Sequence, residues 1–512
     1  MITTLRVRIR DRERQKFFGK MVGVGVVMLG MWAIAWYFTT RAGAAMLGQQ
    51  TPAVKAEDVV NPLNTAWVLV AAFLVFFMQA GFMMLEAGFA RTREISNIML
   101  ECIADTCLCG LLFWAFGFAF MFGSGNGWIG HQYFFLNNAP ATYGSTGVAF
   151  LAFFLFQFAF ADTCSTITSG AMVGRTAFGG DLLYSLGVSG LIYPIVGHWI
   201  WGPDGWLATQ STPFRDFAGS TVVHTVGGML ALAGAIALGP RLGRRFKRDG
   251  GGMPPGHDMI LASLGGVILW FGWYGFNPGS TLSAMDFAGI GRVATNTTLA
   301  ACAGGLAAMF FVYPRSHKWD TGISINGFLA GLVAITCPCY WVSPFGSICI
   351  GALAGVIMVL AVDFVEWLRV DDPIGAVAVH GACGIFGTIS LGLFATGQFG
   401  VPGPTGADNS SPVTGLFYGG GAHQLGIQVV GSAVVTITVL VLGLALMYAV
   451  KAAGVLRVSE DIEVAGIDIH EHGAPAYHPE YAYMGYSAIP SGKPAGTVSL
   501  PAGAASPVGV GE

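Results

Sequence analysis

Asp216-Phe-Ala-Gly219-Ser-Thr-Val-Val223-His224-Thr-Val-Gly-Gly228 and Asp372-Pro-Ile-Gly375-Ala-Val-Ala-Val379-His380-Gly-Ala-Cys-Gly384 share Asp, Gly, Val, His and Gly at the same offsets, 156 residues apart. Gly and Val are common in this chain. Asp and His are rare, so a duplicated unit explains the match better than chance. Both stretches run into long apolar sequence, and the chain around them is of the same kind. Of its 512 residues 54% are hydrophobic and only 10% are charged. Its mean hydropathy is +0.63. A soluble domain is about one quarter charged. This chain could not cover its surface with polar groups in water. The composition excludes a secreted disulfide scaffold, a nucleic-acid binder and a disordered regulator.

Eleven apolar segments follow residue 60, at 64–90, 97–123, 146–171, 182–201, 216–239, 257–276, 294–314, 322–338, 344–368, 374–397 and 426–450. Each is long enough, or nearly so, to cross about 30 Å of hydrocarbon as a helix. The expected fold class is therefore an all-α polytopic membrane protein. If the first segment runs from outside to inside, thirteen Lys and Arg residues of the connections and tail fall inside, from Arg91 to Arg457. Only Lys55, Arg215 and Arg292 fall outside. That asymmetry places the mature N-terminus outside and the C-terminus in the cytoplasm of a cell (inner) membrane.

The first 50 residues hold a basic run from Arg6 to Lys20, an apolar run from Met21 to Phe38 and small residues at Ala42–Ala45. This is either a cleaved signal sequence or a retained signal anchor. The domain plan is then a leader at 1–50, a membrane domain at 60–450, a cytoplasmic regulatory tail at 451–486 and a disordered Pro/Gly/Ala-rich end at 487–512. The nine cysteines nearly all lie within apolar segments. Cys107-x-Cys109 and Cys337-x-Cys339 have neither the gap nor the histidines of a zinc site, so they read as small core residues. No cofactor or metal is called for.

With this topology Asp216 opens its helix outside and Asp372 opens its helix inside. A five-helix unit repeated once must then be inverted, giving a 5+5 architecture plus one helix, with a site near the midplane. Each histidine lies eight residues into its helix, about 12 Å deep. Entering from opposite faces of a core about 30 Å thick, the two end roughly 6 Å apart in depth. An ionisable group at that depth is functional by default. Two neutral imidazoles each offer one donor and one acceptor, which suits a proton or an uncharged hydrogen-bonding solute. Asp216 and Asp372 are placed to cap the amide ends of their helices, and Asp216 also adds negative potential outside.

At the outer end the same topology gathers aromatic residues. The third helix carries Phe156-Gln157-Phe158-Ala159-Phe160, the fourth ends at Trp199-Ile-Trp201 and the sixth ends at Phe276-Asn277-Pro278-Gly279-Ser280. Trp199, Trp206 and Tyr274 read as an interfacial aromatic belt. Phe160, Trp201, Phe276 and Ser280 read as a cage of rings with one hydroxyl, suited to a small cation that also donates hydrogen bonds. Rings below such a cage block a hydrated ion and let a neutral molecule pass. Glu86, Glu101, Asp105, Asp162 and Asp363 are expected to pair with backbone amides or inner arginines. As an alternative, His224 and His380 could serve as haem ligands.

From Asn64 to Tyr477 the chain resembles the Amt/Mep/Rh ammonium transporters, and the Amt branch in particular. The resemblance rests on Asp216–His224 followed by Arg241, on Leu368-Arg-Val-Asp371-Asp372-Pro-Ile-Gly-Ala-Val-Ala-Val-His380-Gly, on Gly275-Phe-Asn-Pro-Gly-Ser280, on Phe156-Gln157, and on tail residues Leu456–Glu460, Gly466–Asp468, Glu471–Gly473 and Ala476-Tyr477. It implies no enzyme but a homotrimer with one pore per subunit, carrying ammonium or ammonia and by extension methylammonium. Residue by residue, Phe160, Trp201 and Ser280 match the ammonium recruitment site. Phe160 and Phe276, with Phe156 beside them, match the gate, and His224 and His380 match the pore histidines. The inner loops and tail match surfaces on which PII signalling proteins dock. A sensor with the same fold, signalling through its tail, is the alternative. Two departures stand out. Gly174-Arg175 replaces the usual Glu-Arg, and Asp162 is an unusual acid just below the Phe160 position.

Overall fold

The computed structural model describes residues 55–399 and 412–477. The leader, residues 478–486 of the tail and the 487–512 segment lie outside the described residues. The chain divides into two units, Met1–Val59 and Val60–Glu512. Of the first unit, only residues 55–59 are described, where a helix begins and Lys55 pairs with Glu57.

Thirteen helices carry the architecture among the described residues. They are α1 (Ala56–Phe89), α2 (Ile95–Phe122), α3 (Phe150–Gly170), α4 (Phe178–Trp201), α5 (Ser220–Leu238), α6 (Met259–Phe276), α7 (Phe287–Ser316), α8 (Thr321–Thr336), α9 (Pro344–Trp367), α10 (Val377–Phe394), α11 (His423–Ala452) and two short tail helices, α12 (Glu460–Ala465) and α13 (Ile467–His472). Ten of them are long and apolar enough to cross a membrane, and the protein is a multi-pass membrane protein. The exception among the first eleven is α8, which has 16 residues. At 1.5 Å per residue it reaches about 24 Å, short of the hydrocarbon thickness. A helix this short can lie at membrane depth when protein wraps it. Residues Leu329 to Thr336 of α8 are all buried.

Packing follows the inverse of a soluble domain. Large apolar side chains such as Phe73, Leu151, Phe271, Phe310, Phe345 and Ile437 are exposed along the outer faces of the helices. Polar residues including Asp162, Asp216, His224 and Asn296 are buried inside. That is the arrangement a bilayer solvent selects, because an apolar exterior costs nothing there and an unpaired polar group costs several kcal/mol. Helix starts are capped where they meet loops. Asp258, Asp286, Asp320 and Ser343 each accept backbone N–H bonds at the first turns of α6, α7, α8 and α9.

Trp199 corrects the reading of an aromatic belt. It is buried and packs edge-on against Trp128, whose carbonyl accepts its indole N–H. Trp206 joins the same cluster, with its ring 5.5 Å from Trp128. The spacing of these residues could not reveal Trp128 as their partner, since it comes from a different loop.

Candidate functional site

The two repeated stretches fold alike. Gly219 and Gly375 both take positive φ, +117° and +81°, a region that costs glycine little. After each, the helix opens with a π-helical turn, Ser220–Thr225 in α5 and Val377–Ala382 in α10. Such turns are rare and cluster at functional sites. Both carry the histidine. The Asp216 carboxylate accepts N–H bonds from Gly219, Ser220, Thr221 and Val222 at 2.8–3.0 Å. Asp372 accepts from Gly375, Ala376 and Val377 at 2.9–3.1 Å. Each carboxylate therefore gathers amides that a π-helical start leaves unpaired.

The broken helices cross antiparallel and in contact. A Cβ on Gly228 would stand 2.3 Å from the Gly381 nitrogen, and one on Gly384 would stand 2.6 Å from the Ser220 carbonyl oxygen. Only hydrogen fits at either point. This close approach brings His224 Nδ1 within 3.2 Å of His380 Nδ1, with the rings 5.2 Å apart and 23° from parallel. His224 Nε2 is buried without a hydrogen-bond partner.

A line of rings leads from these imidazoles toward the Trp201 end of the bundle. His224 stacks on Phe276 at 5.4 Å and on Trp273 at 5.1 Å. Phe276 stacks on Phe160 at 4.0 Å, and Phe160 meets Phe156 at 4.7 Å and Trp201 edge-on at 5.9 Å. Above the Phe160–Phe276 pair lies a small depression of about 20 Å³. Besides Phe156, Phe160, Trp201 and Ser280, its walls include Phe122, Gln157, Phe217 and Leu282. The Trp201 indole donates to the Asp216 carbonyl at 2.7 Å, which ties the wall of the depression to the start of α5. Ser280 Oγ donates to the Phe276 carbonyl at 2.8 Å, so its own lone pairs remain free to accept. The arrangement can hold a small cation against ring faces and offer it a hydroxyl acceptor. A stack of rings below it admits no hydrated ion.

Comparison with known proteins gives this geometry its context. The model for the Ammonium Transporter Family matches residues 66–477. The chain belongs to that family. It is 42% identical over 448 residues to ammonium transporter Amt2 of Archaeoglobus fulgidus, covering 85% of this chain and 92% of the relative. It is 39% identical to ammonium transporter 1 member 3 of Solanum lycopersicum, with 82% and 94% covered. Among solved structures, one named Sensor Amt Protein superposes with a TM-score of 0.73 at 37% identity, covering 81% of this chain and all of that one. Candida albicans Mep2 superposes with a TM-score of 0.71 at 28% identity, covering 81% and 92%.

Within this Ammonium Transporter Family fold, Trp273 escaped the sequence reading. It lies three residues before Phe276, so helical spacing puts both on one face, yet its indole is fixed by Thr336 of α8, 2.9 Å away. Phe82, 6.5 Å from the His380 ring on the far side of the pair, was equally hidden. Both depend on neighbours distant in sequence.

The opposite end of the bundle is tied by charge. Arg241 donates to Asp371 through its backbone nitrogen, Nε and Nη2 at 2.8–2.9 Å, and Arg244 adds a bond at 3.1 Å and pairs with Glu366. Burial pushes the Asp371 carboxyl up, but the bonds and charge of Arg241 outweigh it and hold the group well below the usual carboxylate range. The tail closes over this end. Asp468 accepts from the Ser96 and Asn97 amides at the start of α2, and Arg457 pairs with Glu463. At Gly174, φ is +83° and the Glu94 carboxylate lies where a Cβ would stand, 2.7 Å away. Arg175 donates instead to the carbonyls of Val173, Gly239 and Asp371. Burial lowers its pKa to about 10, which leaves it charged at neutral pH.

Proposed function

We propose that the protein takes ammonium at the Trp201 end, removes its proton and passes ammonia along the His224–His380 line to the cytoplasm. Ammonium rests in the depression against Phe160 and Trp201, held by cation–π attraction worth about 0.5–2 kcal/mol, while Ser280 Oγ accepts one of its N–H bonds. The Asp216 carboxylate adds negative potential near the same wall. The Phe160 and Phe276 rings, stacked at 4.0 Å, must part for passage, and Phe156 is beside them. A neutral molecule with both donors and an acceptor can then bond to imidazole nitrogens in turn. Potassium, which has no proton to lose, stays outside.

The observation that carries this reading is the unpartnered, buried His224 Nε2 at the end of the ring stack. A ligand nitrogen is the partner such an atom lacks. The reading extends to a homotrimer in the inner membrane, with the mature N-terminus outside, and to a PII-type partner on the inner loops and tail. Proteoliposomes with an inward ammonium gradient test it. We expect uptake that His224→Ala and His380→Ala each abolish; undiminished flux in both variants removes the mechanism.

A second reading draws on the similarity to the solved structure named Sensor Amt Protein and on the tail seated against α2. In that case the site binds ammonium and the tail reports its occupancy. Specific ammonium binding without flux would favour it.

A further inference from the structure

Ionisable groups outside the ammonia path fall into two kinds. Of the acids expected to pair with backbone amides or inner arginines, Asp363 pairs with Arg315 and Lys247. Glu101, Asp105 and Asp162 instead bond the neutral side chains of Asn97, Ser185 and Thr106. Such partners serve an acid in either protonation state. His198 is different. It lies in the last turn of α4 and is fully buried. Its Nδ1 stands 2.9 Å from the Met121 carbonyl oxygen, and its Nε2 stands 2.8 Å from the Asn126 carbonyl oxygen. A carbonyl oxygen only accepts, so both ring nitrogens must donate. A neutral imidazole has one N–H; the imidazolium has two. A neutral ring would set a lone pair against one of these oxygens at bonding distance. The charge suits its place, because the carbonyl end of a helix favours a cation. The turn after α4 closes on this residue with glycines. A Cβ on Gly202 would lie 2.3 Å from Nδ1, and one on Gly205 would lie 2.1 Å from the His198 carbonyl oxygen.

Both carbonyls belong to chain that shapes the depression. Met121 precedes Phe122, the last residue of α2, which lines it. Asn126 sits in the turn beyond, where its side chain accepts from the Trp128 amide at 2.9 Å. On the other side Trp201, a second wall residue, follows His198 within one turn of α4. One ring thus ties the end of α2 to the end of α4 beside the depression. Three other titratable groups stand around this join. The Asp204 carboxylate accepts from the Gly125 amide at 2.8 Å, and the Tyr143 hydroxyl donates to the Phe122 carbonyl at 2.8 Å. The His131 Nδ1 lies 2.9 Å from where a Cβ on Gly125 would stand. Among the described residues none of the three bonds to the His198 ring.

We propose that His198 is a charged positioning residue, which as an imidazolium staples the Met121–Asn126 stretch to the end of α4 and so sets the spacing of Phe122 and Trp201 that receives ammonium. When the solution on the Trp201 side turns alkaline and the ring gives up a proton, one carbonyl loses its donor and the two walls loosen. Ammonium is then held best from an acidic solution. The inference rests on the transport reading above, and the test separates the two.

The full-length protein is reconstituted in liposomes, and initial uptake is measured against ammonium concentration from about pH 5 to about pH 8, the range in which imidazoles change charge. We expect the wild-type half-saturation concentration, counted as the ion, to rise about 2- to 10-fold across this range, the scale of one hydrogen bond. The maximum rate should change little. His198→Gln keeps an amide donor but cannot carry the charge, so its half-saturation should be high at every pH. A variant that follows the wild-type pH dependence, or loses maximum rate alone, overturns the proposal. Wild type that takes up no ammonium defeats the transport reading, and the ring is then judged by its protons. Nitrogen-15 spectra of histidine-labelled wild type need no variant to fold. They should show one solvent-shielded histidine with two N–H signals at about pH 5 and one at about pH 8. A shielded ring with the same count at both ends overturns the proposal.

Discussion

His224 and His380 face each other through the same ring atom, Nδ1 to Nδ1 at 3.2 Å. One nitrogen must donate and the other accept, so the two imidazoles hold opposite tautomers. Two positive rings at that separation would repel by about 5 kcal/mol at an effective dielectric of about 20. The pair should therefore carry no more than one extra proton. Nitrogen-15 spectra of histidine-labelled protein should show one Nδ1–H and one Nε2–H imidazole at neutral pH. Two identical tautomers would contradict the arrangement.

The rings above the pair make a second prediction. Trp201→Leu removes a ring face and an indole bond from the wall of the depression and should weaken ammonium affinity by about 3- to 30-fold, the range of a partly desolvated cation–π contact. Phe160→Ala together with Phe276→Ala removes the 4.0 Å stack and should admit potassium. Concentration-dependent currents in ammonium and in potassium check both, and unaltered affinity and selectivity would refute them.

The helix crossing makes a third. Gly228→Ala places a methyl group on the Gly381 backbone, which cannot give way like a side-chain tip. Overpacking of this kind costs about 1–3 kcal/mol. The melting temperature of the detergent-solubilised variant should fall, whereas Gly252→Ala, with nothing within 4 Å of its Cβ, should leave it unchanged.

The Asp371 cluster makes a fourth, with a defined pH dependence. Its carboxyl is depressed by Arg241, so the stability it adds is complete above the unfolded value of about 3.9. That stability is lost only as pH falls through the lower folded value. Asp371→Asn leaves the buried Arg241 and Arg244 without this partner and should cost about 3 kcal/mol. The gap in melting temperature between variant and wild type should stay constant from pH 7 to about pH 4 and narrow only below that. A gap that closes near pH 6 would show that another group dominates.

Much of this molecule was legible in its residues because the bilayer simplifies the code. Apolar runs yield the helices, and two rare residue types at one repeated offset expose the repeated halves. Phe160, Trp201, Phe276 and Ser280 converge from three helices whose ends could be placed from length alone. What stayed hidden depends on contacts rather than composition. Glu94 takes the space beside Gly174 because the turn before α2 delivers it there, and no local pattern announces this. The shortness of α8 was readable in its segment at 322–338, but the packing that buries Leu329 to Thr336 was not.

The π-helical turns at Ser220–Thr225 and Val377–Ala382 set where the imidazoles aim. A π turn amounts to one residue more than the α-helix needs, and one residue is about 100° of rotation. Excising a single residue from either turn would restore a regular helix and swing its imidazole by roughly that angle, away from its counterpart. The alignment of the pair is thus written in residue count rather than in rotamer choice. Both halves must keep their surplus residue together, and neither can shed it alone.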